Sequence, residues 1–203
     1  MTYLGATLRA DGDIKAELNK KLGLAWMDFC ALEKLWNHSS VSIPRKCQFF
    51  QSIITSRLLY GLSSTWLNVA SRRRLNGFQA RCLRRVLRIK PSFVSRVSNQ
   101  VVLEKAAQTT YESQLLRQQL ILFGKVARGG ADDSLRSMVF RPGSLLPAAD
   151  AFVRNVGRPR SEWVKMLLPK ADVLAGSRRA LENLVNDELC WKAAVGIYVA
   201  SLK

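Results

Sequence analysis

Apolar positions recur every three or four residues along most of this chain, the period of a single buried helix face. Ile14, Leu18, Leu22, Ala25, Phe29, Leu32 and Trp36 form the first stripe. Asp11 or Asp13 stands where a helix cap belongs. After the polar break 37–40, Ser42 and Pro44 open a second helix that runs through Phe50, Ile54 and Leu58 to about Gly61. A third spans 71–90, with Leu75, Phe78, Cys82, Val86 and Ile89 on one side and Pro91 as its stop. Ser98 or Asn99 caps a shorter helix through Val102, Leu103 and Ala106. The next, from about Thr110 to Arg128, buries Tyr111, Leu115, Leu116, Leu120, Phe123 and Val126 before Gly129 and Gly130 end it. Residues 129–161 are rich in Gly and Pro and read as loop with short helical pieces. Helices around 161–168 and 177–200 complete the chain. The only β-like run, Tyr3 to Leu8, precedes the turn signal 11–13 and has no partner edge. The pattern predicts an all-α bundle of about six to eight helices with a short orphan N-terminal strand. It divides into a basic helical unit, 1–128, and a loop-rich connection with C-terminal helices, 129–203.

Charge changes this picture. The 203 residues carry a formal net charge of +17, unevenly distributed. Between Lys34 and Leu103 there are thirteen Lys or Arg and no Asp or Glu; the other 133 residues hold nineteen basic and fifteen acidic side chains. A field confined to one region is the footprint of a phosphate-backbone binder. Its centre is the third helix, where Arg73, Arg74, Arg81, Arg84, Arg85 and Arg88 project opposite the apolar side with no acid among them. Arg45, Lys46 and Lys90 lie at the edge. No apolar run approaches the length of a membrane span, and the moderate apolar face does not suit an in-plane membrane helix. Cys30, Cys47, Cys82 and Cys190 are scattered and read as reduced, buried thiols of an intracellular protein, nuclear or cytoplasmic. His38 is the only histidine, and no ligand spacing joins it to the cysteines.

Catalytic equipment is not visible. The one adjacent acidic pair, Asp132 and Asp133, lies between Gly129-Gly130 and Ser134-Leu135-Arg136, where a helix cap is the better use of a carboxylate. No nucleophile elbow surrounds Ser63 or Ser64, and no phosphate-binding glycine loop occurs. No catalytic residue, metal or cofactor is therefore expected. Gly157-Arg158-Pro159-Arg160 could lie in a narrow minor groove, making Arg158 and Arg160 a secondary contact. Val156 stands where such a hook needs a basic residue, which favours a surface loop leading to Trp163.

Five blocks together resemble the region that follows the palm in LINE-type (non-LTR) retrotransposon reverse transcriptases. They are Tyr3-Leu4-Gly5 with Asp11-Gly12 and the helix to Trp36; Leu58-Leu59-Tyr60-Gly61 with Trp66; and the 75–87 segment, L-N-G-F-Q-A-R-C-L-R-R-V-L. Arg117-Gln118-Gln119-Leu120 with Phe123-Gly124-Lys125-Val126 follows, Phe123 and Lys125 replacing the family's tryptophan and histidine. Gly157-Arg158-Pro159 with Trp163 is the last. The blocks cover about residues 3 to 163; the segment from Ala171 to Lys203 carries none of them.

The resemblance implies a thumb and connecting region that grips template and primer, with the catalytic aspartates in an upstream palm. Asp132 and Asp133 fall after the thumb, in the wrong order to be that pair. The expectation is a non-catalytic C-terminal piece of an RNA-directed DNA polymerase. It would hold RNA, DNA or their hybrid by backbone contacts, and could also dock on the upstream polymerase domains. Two alternatives stand beside it: a helical protein-interaction module, and a degraded reading frame without independent activity.

Overall fold

The computed structural model describes residues 2–3, 6–7, 14–130, 132–148 and 162–202. Its fold is all-α, as the periodicity predicts. Twelve α-helical segments and one π-helical stretch occur among these residues, more than six to eight, because three expected helices are each interrupted and short helices are added at 92–95 and 134–139. The run near Tyr3 is not an unpaired strand. Two two-residue strands, β1 (Thr2–Tyr3) and β2 (Ala6–Thr7), pair antiparallel with Thr2 opposite Thr7, so the run supplies its own edge. Asp11 and Asp13 lie outside the described residues. Compact units cover Met1–Gln114 and Leu115–Lys203, a division inside the helix that was expected to close the first unit at 128.

In the first unit the expected opening helix is α1 (Lys15–Ala31) followed by α2 (Glu33–Asn37). The Trp36 indole Nε1 donates to the Phe29 carbonyl at 2.7 Å, turning the chain back onto the end of α1. The second expected helix begins at Ser42 with Pro44 in its first turn, as α3 (Ile43–Phe49). It passes through a π-helical stretch, Phe50–Thr55, into α4 (Ser56–Leu59). The wider π turn keeps Phe50, Ile54 and Thr55 all inside, and the Thr55 hydroxyl meets Tyr111 Oη at 2.8 Å. Burial raises the Tyr111 phenol well above its ordinary pKa.

The arginine-rich helix, α5 (Val69–Val86), starts at Asn68, whose side chain accepts from Ser71 N–H at 2.8 Å. It ends five residues before Pro91 in a two-bond turn. Ile89 N–H reaches Arg84 O at 2.8 Å and Arg88 N–H reaches Arg85 O at 3.2 Å, with Arg88 left-handed at φ 56°. This is a Schellman closure made without glycine. The short α6 (Ser92–Ser95) and α7 (Asn99–Lys105) follow, α7 capped by Ser98 as expected.

The α5 side chains also cap the next long helix, α8 (Tyr111–Ala127). Gln79, 1% exposed, accepts from Tyr111 N–H at 2.8 Å and donates to Thr109 O at 2.8 Å. Asn76 accepts from Glu112 N–H at 3.0 Å, and Thr110 Oγ1 accepts from Ser113 N–H at 3.1 Å. Three orphan amides of a helix start are thus satisfied by side chains. Around this frame Phe29, Trp36, Phe50, Leu75, Phe78 and Cys82 form the core. Ring contacts run from Trp36 to Phe29 at 5.1 Å, on to Phe50 at 6.2 Å and to Tyr111 at 6.4 Å.

The second unit holds the remainder of α8, α9 (Ser134–Val139), α10 (Trp163–Ala175), α11 (Arg178–Asn186) and α12 (Glu188–Ser201). The helix expected at 161–168 continues through Pro169 to Ala175 and closes at Gly176, φ 81°. The helix expected at 177–200 breaks at Asp187, whose carboxylate accepts from Leu189 and Cys190 N–H at 2.9 and 3.0 Å. Trp191 is fully buried; its Nε1 donates to Leu120 O at 2.9 Å, and its ring centroid lies 6.1 Å from that of Phe123. A Cβ on Gly124 would fall within the Trp191 indole, so glycine is the one residue that admits this packing. Cys47 and Cys82 are buried as expected, and burial pushes the Cys82 thiol up to about 12; Cys30 and Cys190 are exposed, contrary to expectation, because they lie off the apolar stripes.

Gln79→Ala leaves Tyr111 N–H without its partner and removes one of the two side-chain donors to Thr109 O, the other being Gln114 Nε2, and is expected to lower unfolding free energy by about 1–3 kcal/mol in urea melts. Gly124→Ala forces the buried indole aside and is expected to cost at least about 2 kcal/mol by the same measurement.

Candidate nucleic-acid interface

The thirteen cations between Lys34 and Leu103 do not share one fate. Arg57 binds both carboxylate oxygens of Asp28 at 2.7 Å, and Arg72 reaches Glu112 at 2.8 Å while lying over the Trp66 ring. Both acids come from outside the acid-free stretch. Two further cations, expected at the interface, are internal. Lys46 is 4% exposed and its Nζ donates to His38 O at 2.8 Å. Arg84 is 7% exposed, and one guanidinium nitrogen donates to Val97 O at 2.7 Å and Asn99 Oδ1 at 2.9 Å. Its other terminal nitrogen reaches Lys90 O at 3.4 Å and Ser95 Oγ at 3.5 Å. These two side chains are withdrawn from the candidate interface, since their donors are already used on the protein's own oxygens. Nine of the thirteen remain, and all nine are exposed.

The α5 arginines supply the densest part. Arg74, Arg81 and Arg85 follow one another by seven and four residues on a single stripe, with Arg73 beside them. At 1.5 Å per residue the stripe is about 16 Å long, which matches roughly five nucleotides of one strand. No carboxylate among the described residues forms an ion pair with any of the four. Arg81 and Arg85 share an aromatic floor: their guanidinium carbons lie 4.2 and 4.9 Å from the centroid of the Trp26 ring on α1. Trp26 itself stacks on Phe29 at 5.8 Å and meets Phe78 edge-on at 6.5 Å. Two like charges one turn apart repel, and the electron-rich indole offsets that by attracting both.

Arg88 and Lys90 follow in the closing turn of α5. Arg88 donates to Asn37 O, at the C-terminus of α2, at 2.9 Å and remains exposed. Arg45 is exposed on α3, over the Phe49 ring and 3.4 Å from Gln48 Oε1. Arg158 and Arg160 lie outside the described residues. Trp26 is the residue that sequence reading missed; an aromatic one position off the Ala25–Phe29 stripe was the available signal. Asp133 caps α9 by accepting from Leu135 N–H at 2.8 Å and Arg136 N–H at 3.4 Å. Among the described residues no helix is long and apolar enough to cross a membrane. No family model matches the chain, and no curated protein and no solved structure matches it either.

Arg84→Ala removes a donor from four acceptors, of which Ser95 Oγ keeps Val97 N–H, and is expected to lower stability by about 2–4 kcal/mol in urea melts, with Arg84→Lys recovering little because an ammonium cannot fork. Arg73→Ala and Arg74→Ala are expected to stay within about 0.5 kcal/mol of the parent protein.

Proposed function

We propose that the exposed face of α5 grips nucleic acid through its phosphate backbone. The observation that carries this reading is the Arg74–Arg81–Arg85 stripe with Arg73, exposed, without a carboxylate partner among the described residues and partly oriented on Trp26. Guanidinium groups fit phosphate oxygens in pairs, and two of them resting on an indole lose less freedom on binding than free side chains do. Contacts of this kind fix register without reading bases, so the grip is tolerant of sequence. Its role resembles that of the thumb and connecting region of LINE-type reverse transcriptases, whose motif covers the same helix. The preferred target on that likeness is the RNA–DNA hybrid of template and primer. We assign the chain no catalytic step: Asp133, the better placed of its paired acids, already accepts two amide hydrogen bonds as a cap.

Fluorescence anisotropy with a labelled RNA–DNA hybrid, from about 50 to 300 mM KCl, tests the proposal. Four neutralised phosphates give a slope of log K against log salt of about −3 to −4. Arg81→Glu with Arg85→Glu is expected to weaken binding at least about ten-fold and to flatten the slope by about one to two, with the helical circular-dichroism signal unchanged. A slope near zero in the parent protein overturns the proposal. Retained affinity in the double variant overturns the assignment to this stripe.

A further inference from the structure

Arg84 does more than leave the interface; it braces the segment between α5 and α7. Its guanidinium meets Lys90, Ser95, Val97 and Asn99, so both sides of the turn bearing α6 are tied to one buried group. On that turn Phe93 is 76% exposed and Val94 is 51% exposed. Phe93 lies two residues from Ser95 and three from Lys90, which keeps its Cα within about 11 Å of either. The other described phenylalanines are buried or half-buried, and five of them, Phe29, Phe50, Phe78, Phe123 and Phe140, belong to the cores. Phe93 is therefore a ring held in water on a braced support.

Its surroundings define what fits it. Arg88, Lys90 and Arg96 are exposed on the same segment, and no acid occurs between Lys34 and Leu103. An aromatic face among cations suits a ligand that alternates flat rings with negative charge, which describes a nucleic-acid strand with unpaired bases. We propose that Phe93 is a base-stacking residue. An unpaired nucleobase of RNA or DNA lies on its ring, and the flanking phosphates meet Arg88, Lys90 and Arg96. The proposal rests on the backbone grip described above and adds to it a contact that only a base can make.

Binding of the full chain to labelled oligothymidylate and to an abasic oligomer of equal length and charge separates the two. The parent protein is expected to prefer oligothymidylate. Phe93→Ala is expected to lower that affinity by roughly five- to a hundred-fold while leaving the abasic affinity and the salt slope unchanged. Phe93→Trp is expected to retain the preference. Equal affinities of Phe93→Ala and parent protein for oligothymidylate overturn the stacking role and leave the backbone grip standing. A loss of equal size on both oligomers also overturns it, since that marks a disturbed loop. Failure of the parent protein to bind either oligomer at low salt overturns this inference, and overturns the grip with it only where the labelled RNA–DNA hybrid is not bound either.

Discussion

The fold of the first unit depends on a charge almost wholly withdrawn from solvent. A buried arginine without a carboxylate must have its donors met by neutral acceptors, or its desolvation exceeds what packing returns. Arg84 meets this demand with two close acceptors, Val97 O and Asn99 Oδ1, and two longer ones, Lys90 O and Ser95 Oγ. Those acceptors come from a segment with few buried apolar side chains, which could not order itself by hydrophobic contact alone. The guanidinium thus organises the turn after α5, and with it the positions of Arg88, Lys90 and Phe93.

Around Arg84, α5 divides its circumference three ways. Leu75, Phe78, Cys82 and Val86 face the core. Arg72, Asn76 and Gln79 turn toward α8 and saturate the start of that helix. Arg73, Arg74, Arg81 and Arg85 face water. Arginine is itself a good helix former, but Gly77 at mid-length on the exposed side and like charges one turn apart work against this helix. Tertiary contacts hold it instead: a buried stripe, a polar side that doubles as another helix's cap, and an indole beneath two of the arginines.

What the sequence revealed follows from what each signal measures. The apolar stripes through Phe29, Leu75 and Leu120 were legible because helical burial imprints its own period. Ser98 and Asp133 were legible as caps because a cap is a local interaction. Arg84 was not, since its acceptors lie six to fifteen residues on and nothing local separates it from Arg81 or Arg85. Lys46 is the same case, decided by the carbonyl of His38. The break at Asp187 was not legible, because Leu181, Val185 and Leu189 continue a step of four in sequence, and only the fold leaves Leu189 exposed and buries Trp191. Gly124 owes its identity to Trp191, sixty-seven positions away in sequence, and no local pattern encodes that.

The separation of faces on α5 bears on how binding relates to stability. Repulsion between Arg81 and Arg85 costs about 0.2–0.5 kcal/mol, and each cation–π contact with Trp26 returns about 0.5–1 kcal/mol at an exposed site. The charged face is therefore self-supporting and needs no anion to stay helical. Under the proposed grip, a strand meeting this face would displace counterions rather than refold the protein, and the free energy of binding would come chiefly from released salt. Because Arg84 is the cation on this helix shared with the core, substitutions at 73, 74, 81 and 85 alter the field while those at 79 and 84 alter the fold. Stability and the proposed grip are separable on one helix by register alone.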